Sequence, residues 1–192
     1  DKKGLIECEV NLEDRQYYPK PGWVEHNPED IWKSVLQTIS LCLQKARVDG
    51  KKIAAIGITN QRETVLLWDR ETGKPLHNAI VWQDRRTTDF CEALKKQNLE
   101  KWIAKKTGLV IDPYFSGSKI NWLLENVTGA KKQATLGKLA VGTIDSFLIW
   151  RLTSGLTHRT DVSNASRTML MNIETGHWDR DLLKTFDVPD EI

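Results

Sequence analysis

Cysteine is scarce in this chain. Only three occur in 192 residues, Cys8, Cys42 and Cys91. They are far apart, they cannot all pair with one another, and none belongs to a Cys-x-x-Cys or Cys/His ligand spacing, so neither a disulfide framework nor a zinc site organises the chain. Reduced thiols are the expectation. No apolar run approaches the ~20 residues that a membrane-crossing helix needs. An excess of one charge is also missing: 28 Lys plus Arg face 26 Asp plus Glu, a formal charge of +2. With no basic stripe and no acidic tail, the concentrated positive field of a nucleic-acid binder is absent. Neither Gly-x-x-x-x-Gly-Lys-Ser/Thr nor Gly-x-Gly-x-x-Gly occurs, so no backbone cradle for nucleotide phosphates can be read. His26, His77, His158 and His177 show no paired spacing, and solvated or capping roles are expected for them in place of metal ligation.

What is present describes a globular chain. Hydrophobic residues make up 40% and charged residues 28% of it. A chain of this length can remove roughly 70% of its unfolded surface from water, enough for a core without staples. That length suits one domain, or one domain with part of another. The sequence starts at Asp1 without methionine and stops at Asp190-Glu191-Ile192, and so reads as a segment excised from a longer protein.

The pattern is α/β. Leu5 to Val10 alternates like a strand. Asn27-Pro28-Glu29-Asp30 supplies a capping side chain, a proline where no N–H is needed and two carboxylates at the positive end of a helix. Ile31, Val35, Ile39 and Leu43 then give that helix an apolar core-facing stripe, up to Asp49-Gly50. Residues 53–58 form a short continuous apolar run, the composition of a strand covered on both faces in a sheet with parallel members. Thr64 to Trp68 and Asn78 to Trp82 read as a hairpin around residues 69–75, with Gly73 available for positive φ. Arg86 to Lys106 and Ser116 to Val127 read as helices, and Val141 to Trp150 as a strand end running into a helix.

In open α/β sheets ligands settle outside the carboxyl ends of strands. Gln61-Arg62-Glu63 is placed there by this reading. Arg62 offers a fork of donors and Glu63 offers only acceptors, a combination suited to the hydroxyls of a polyol. The same pair would serve equally as an exposed ion pair or a turn. Trp82, followed by Gln83-Asp84-Arg85-Arg86, could give a ligand's carbons an apolar wall or simply pack in the core. Tyr114, after Asp112-Pro113, could turn its hydroxyl to the same pocket or anchor a turn. Asp84, Asp112, Asp145 and Asp161 are each conceivable general bases, without a partner identifiable from sequence.

Several longer segments carry a resemblance. Residues 17–26, Tyr-Tyr-Pro-Lys-Pro-Gly-Trp-Val-Glu-His, and 57–64, Gly-Ile-Thr-Asn-Gln-Arg-Glu-Thr, look like segments of bacterial glycerol kinases. Tyr114 to Asn126 fits a signature of the wider FGGY carbohydrate-kinase family, and Thr160 to Leu170 is similar to a further glycerol-kinase segment. The resemblance covers nearly the whole chain. It implies an actin-like ATPase (ribonuclease H-like) domain with a mixed sheet and flanking helices, incomplete in this chain. Residues 1–192 would be one segment of the N-terminal domain, lacking its first strands and the nucleotide-binding C-terminal domain.

The activity implied for the parent is transfer of the γ-phosphoryl of ATP to glycerol, giving sn-glycerol 3-phosphate. Arg62, Glu63 and Tyr114 match positions that hydrogen-bond glycerol, and Trp82 matches an aromatic wall. Ketose kinases of the family tend to carry a Gln-Met-His-Gly type of segment where this chain has Gln-Arg-Glu. ATP and Mg²⁺ would be bound mainly by parts outside the segment, since the family's Asp-x-Gly-Thr hairpin and catalytic aspartate match nothing in it. The resemblance further implies a cytoplasmic enzyme that forms homo-oligomers, for which the helix after Ser116 and the Trp-rich composition would suit an interface. A kinase for another polyol or sugar, and a non-catalytic polyol-binding or partner-binding module, are the alternatives.

Overall fold

A computed structural model describes residues 5–192. Its centre is a five-stranded sheet in the order β1-β2-β4-β3-β5, formed by Gln16–Tyr17 (β1), Glu25–His26 (β2), Val65–Asp69 (β3), Ala79–Ile80 (β4) and Leu139–Thr143 (β5). Every pairing in it is antiparallel.

Strand β3 sorts its side chains by the two-residue period of an extended chain. Val65 and Leu67 enter one hydrophobic cluster, whereas Leu66 and Trp68 enter another on the opposite face. The first cluster is closed by helix α4 (Ser116–Asn126) through Ile120, Leu123 and Leu124; the second by α6 (Ile144–Leu152) through Phe147, Leu148 and Trp150. All four strand residues are fully buried, and each aliphatic side chain so covered contributes ~1.5–3 kcal/mol of transfer free energy. The hairpin expected from sequence is present, with Val65 opposite Ile80 and Gly73 at φ +68°.

Helix α1 (Pro28–Ala46) starts as its sequence dictates, Asn27 accepting the Glu29 N–H at 2.9 Å. Its stripe is less covered than expected: Ile31 is buried, but Val35, Ile39 and Leu43 are half-buried. The helix ends at Arg47 in a left-handed cap, ahead of Asp49, which instead caps a short 3-10 turn over Gly50–Lys52. The single helix expected over 86–106 is two, α2 (Thr88–Lys96) and α3 (Glu100–Thr107), because Asn98 takes φ +61° between them. Helix α5 (Ala130–Thr135) leads into β5; α7 (Val162–Ala165), the small β6–β7 pair (Met171–Asn172 with His177–Trp178) and α8 (Arg180–Thr185) complete the chain.

Two strand expectations are corrected. Leu5 to Val10 forms no regular strand, and none of the strands among the described residues includes it. Residues 53–58 also join no sheet among the described residues, and with Ile53 48% and Ile56 61% exposed the run is bare instead of doubly covered. Parallel pairing, expected through this run, is accordingly not found among the described residues. Helix α4, read as suited to a subunit interface, has eight of its residues buried by the chain itself.

Candidate active site

The register of the sheet decides which side chains meet. Val65 lies opposite both Ile80 and Thr143, so the start of β3 and the carboxyl ends of β4 and β5 form one edge. Gln61-Arg62-Glu63 makes the turn into β3, with the Thr64 N–H reaching the Gln61 carbonyl at 3.4 Å. It therefore stands at a strand's amino end, not at the carboxyl end expected of residues 53–58. Trp82 follows β4 by two residues, its backbone N–H held by the Thr64 hydroxyl at 3.3 Å. Asn60 fastens the turn to the third strand: its amide donates to the Thr143 hydroxyl at 3.0 Å and its carbonyl accepts the Asp145 N–H at 3.1 Å.

Glu63 is 3% exposed and adopts φ +61°. Arg62 is exposed and enters no ion pair among the described residues. Trp82 is 37% exposed, and its ring centre lies 5.5 Å from that of Tyr114, at 59°. Tyr114 also meets Phe115 edge-on at 5.2 Å. Arg167 connects the parts: its Nε donates to Glu63 Oε1 at 2.6 Å, and its guanidinium lies 4.9 Å from the Phe115 ring and 5.9 Å from that of Tyr114. The structure thus brings Glu63, Trp82 and Tyr114 to one edge, with Arg62 on the same turn as Glu63.

Sequence reasoning passed over two residues here. Arg167 is one. Lys119 is the other: fully buried, it donates to the carbonyls of Pro113 at 2.9 Å, Tyr114 at 2.5 Å and Phe115 at 2.7 Å. Burial pulls its ammonium down to about 7, against the opposing pull of Asp84 and Glu63. A lysine amid the buried face of α4 was the available signal, because such a group persists inside only when every donor is used.

The four aspartates weighed as bases are all engaged structurally. Asp84 is fully buried and accepts from the Val24 N–H at 2.6 Å and from the Arg86 side chain at 2.8 and 2.9 Å. Arg86 itself turns away from Trp82, lying 3.8 Å from the Trp23 ring and 4.6 Å from that of Trp122, so it belongs to the interior and not to a wall beside Trp82. Asp112 pairs with Arg85 and holds the Tyr114 N–H, both at 2.8 Å. Asp145 accepts from the hydroxyls of Thr143 and Thr160. Asp161 caps α7, and the Asn164 N–H foremost holds its carboxyl below the ordinary range. His26 and His158 are likewise structural, bonded to the carbonyls of Arg15 at 2.9 Å and Val141 at 2.8 Å.

Among the described residues no group of three or more acidic, histidine or cysteine side chains gathers as a metal site, and no helix among them is long and apolar enough to cross a membrane. A groove of about 610 Å³ is lined by Val141, Thr143, His158, Thr160 and Leu170 among others, and by none of Arg62, Glu63, Trp82 and Tyr114. Chemistry decides between the two: a buried carboxylate and a pair of aromatic rings meet at the sheet edge, with an exposed guanidinium on the same turn.

The chain is similar to known proteins over nearly all of its length. A glycerol kinase of Bdellovibrio bacteriovorus is 60% identical over 192 residues, covering 100% of this chain and 39% of its own length. One from Rhizobium meliloti is 60% identical over 178 residues, 93% of this chain and 36% of its own. The crystal structure of Plasmodium falciparum glycerol kinase with ADP superposes with a TM-score of 0.87 at 42% identity, covering 93% of this chain and 35% of that one. A gluconate kinase from Lactobacillus acidophilus follows at 0.82 and 28%, covering 95% and 35%. The chain thus spans well under half the length of these relatives. With the model of the FGGY family of carbohydrate kinases, N-terminal domain, matching residues 1–192, the chain belongs to that family.

Proposed function

We propose that the protein containing this chain is a cytoplasmic kinase that transfers the γ-phosphoryl of ATP to glycerol, yielding sn-glycerol 3-phosphate, and that the chain contributes half of the alcohol pocket. The observation that carries this reading is the meeting of Glu63, Trp82 and Tyr114 at one sheet edge, with Arg62 on the same turn. In it, the Arg62 guanidinium donates to hydroxyl oxygens, the Glu63 carboxylate accepts hydroxyl protons, Tyr114 does either, and the Trp82 ring covers the carbon chain. A three-carbon alcohol has about six heavy atoms, and the best small ligands gain no more than roughly 1.5 kcal/mol per atom, so each bond weighs heavily.

ATP with Mg²⁺ would supply the phosphoryl group and neutralise its charge. Among the described residues no group of three or more acidic, histidine or cysteine side chains gathers, and no step is assigned to ATP on this chain. The reading therefore treats residues 1–192 as a segment of the N-terminal domain that orients the acceptor, while the remainder of the protein, as a homo-oligomer, holds the nucleotide.

Arg62→Ala in the full-length kinase is expected to raise the glycerol KM on the order of 10- to 150-fold, the value of a charged hydrogen bond of ~1.5–3 kcal/mol. Steady-state kinetics with glycerol, erythritol and xylulose as acceptors measure this. An unchanged KM removes Arg62 from the pocket, and a higher kcat/KM on xylulose than on glycerol overturns the choice of acceptor.

A further inference from the structure

Glu63 holds a carboxylate almost wholly out of water, on a backbone whose φ of +61° few non-glycine residues adopt. An acceptor so placed needs a counter-charge. Its neighbour Arg62 does not provide one, being exposed and outside any ion pair among the described residues. The cation comes from Arg167, 104 positions further along the chain, which bonds only Oε1. No other hydrogen bond reaches the Glu63 carboxylate from the described residues.

The guanidinium does more than balance charge. It lies within 5.9 Å of the Tyr114 ring and 4.9 Å of the Phe115 ring, and Tyr114 stands beside Trp82. Its backbone is anchored on both sides: the Arg167 N–H donates to the Asn164 carbonyl at 3.0 Å, and the Thr168 carbonyl accepts the Gly117 N–H at 2.7 Å, tying the loop to the first turn of α4. Buried Met169 takes φ +63° immediately beyond. A side chain only 35% exposed and fixed this way has little freedom to leave.

We infer that Arg167 is a positioning residue of the polyol pocket: it turns one oxygen of Glu63 to the protein, leaves the other for a substrate hydroxyl, and braces the Tyr114 ring against Trp82. This rests on the pocket reading above. The task suits arginine and not lysine, because an N–H bond and a flat stacking surface are needed together from one group, and an ammonium supplies the bond without the plane.

The test is made in the full-length kinase with Arg167→Gln and Arg167→Lys, beside Arg62→Ala. Arg167→Gln is expected to raise the glycerol KM on the order of 10- to 100-fold while leaving the ATP KM at its parental value. Arg167→Lys is expected to fall between the two, restoring charge without the fork. A folded Arg167→Gln enzyme with parental glycerol KM and only a lowered Tm overturns the inference, since that is what a merely structural arginine gives. If Arg167→Gln fails to fold, a parental glycerol KM in Arg167→Lys overturns it. When Arg62→Ala raises the KM and Arg167→Gln does not, this inference alone fails; when neither does, the pocket reading fails with it.

Discussion

Lys119 shows how a single side chain can set the geometry of a site without touching a ligand. Its ammonium has three donors, and the carbonyls of Pro113, Tyr114 and Phe115 use all of them, closing the backbone turn that presents Tyr114. Lys119→Met would leave three buried carbonyls unmet. Since each unmet group costs ~1–3 kcal/mol, a loss of at least about 2 kcal/mol is expected, read by urea denaturation of the full-length enzyme. The pH dependence has a definite sign. Burial lowers Lys119 from its ordinary 10.5 to about 7 in the folded chain, so between those values the unfolded chain binds more protons. Stability from this residue therefore rises as pH climbs through that window, and its cost is fully present below about 7. The difference between parent and Lys119→Met should widen from pH 7 toward pH 10; a difference independent of pH would contradict the burial argument. Arg62, Glu63, Trp82 and Tyr114 were legible as donors, acceptors and walls because residue type alone states what a group can bond. Arg167 and Lys119 were not, because their partners are fixed by the fold and not by neighbouring letters.

At the scale of elements, the contact between α4 and the loop after α7 governs the site. Gly117 permits it: a Cβ there would lie 3.0 Å from the Thr168 carbonyl oxygen and 3.0 Å from the Phe186 ring. Gly117→Ala is expected to push the loop outward, costing ~1–3 kcal/mol of stability as overpacking does. The glycerol KM should rise in parallel, because Arg167 moves with that loop; a destabilised enzyme with parental KM would uncouple the two. Elements with strong local signals were read correctly. Asn27 and Pro28 announced α1, and Gly73 closed the β3–β4 hairpin at positive φ. The two strand misreadings share one cause. Residues 5–10 and 53–58 carry the letters of strands, but a strand exists only where another supplies its hydrogen bonds, and composition does not say whether one is near. The break at Asn98 was a conformational choice of one residue inside an otherwise helical pattern.

For the molecule as a whole, the pattern of buried and bare surface separates what this chain does from what it leaves to the rest. The core around β3 is closed on both faces, yet Ile53 and Ile56 stand in water on a run that joins no sheet among the described residues. Such a run favours association with another chain. The isolated 192-residue segment is therefore expected to turn over no glycerol with ATP and to self-associate, with Ile56→Lys lowering the light scattering. Kinase activity from the segment alone would contradict the division of labour proposed. Family membership was legible because several long stretches of sequence match in order.

The pairing of Glu63 with a cation 104 residues downstream also bears on biosynthesis. A nascent polypeptide that has left the ribosome only as far as Trp150 already owns β3, β4 and β5, yet its Glu63 carboxylate still lacks the guanidinium that balances it. Domains mature as they are translated, so this carboxylate stays without its counter-ion until the tunnel has released Arg167, well behind the folding of the sheet that displays it.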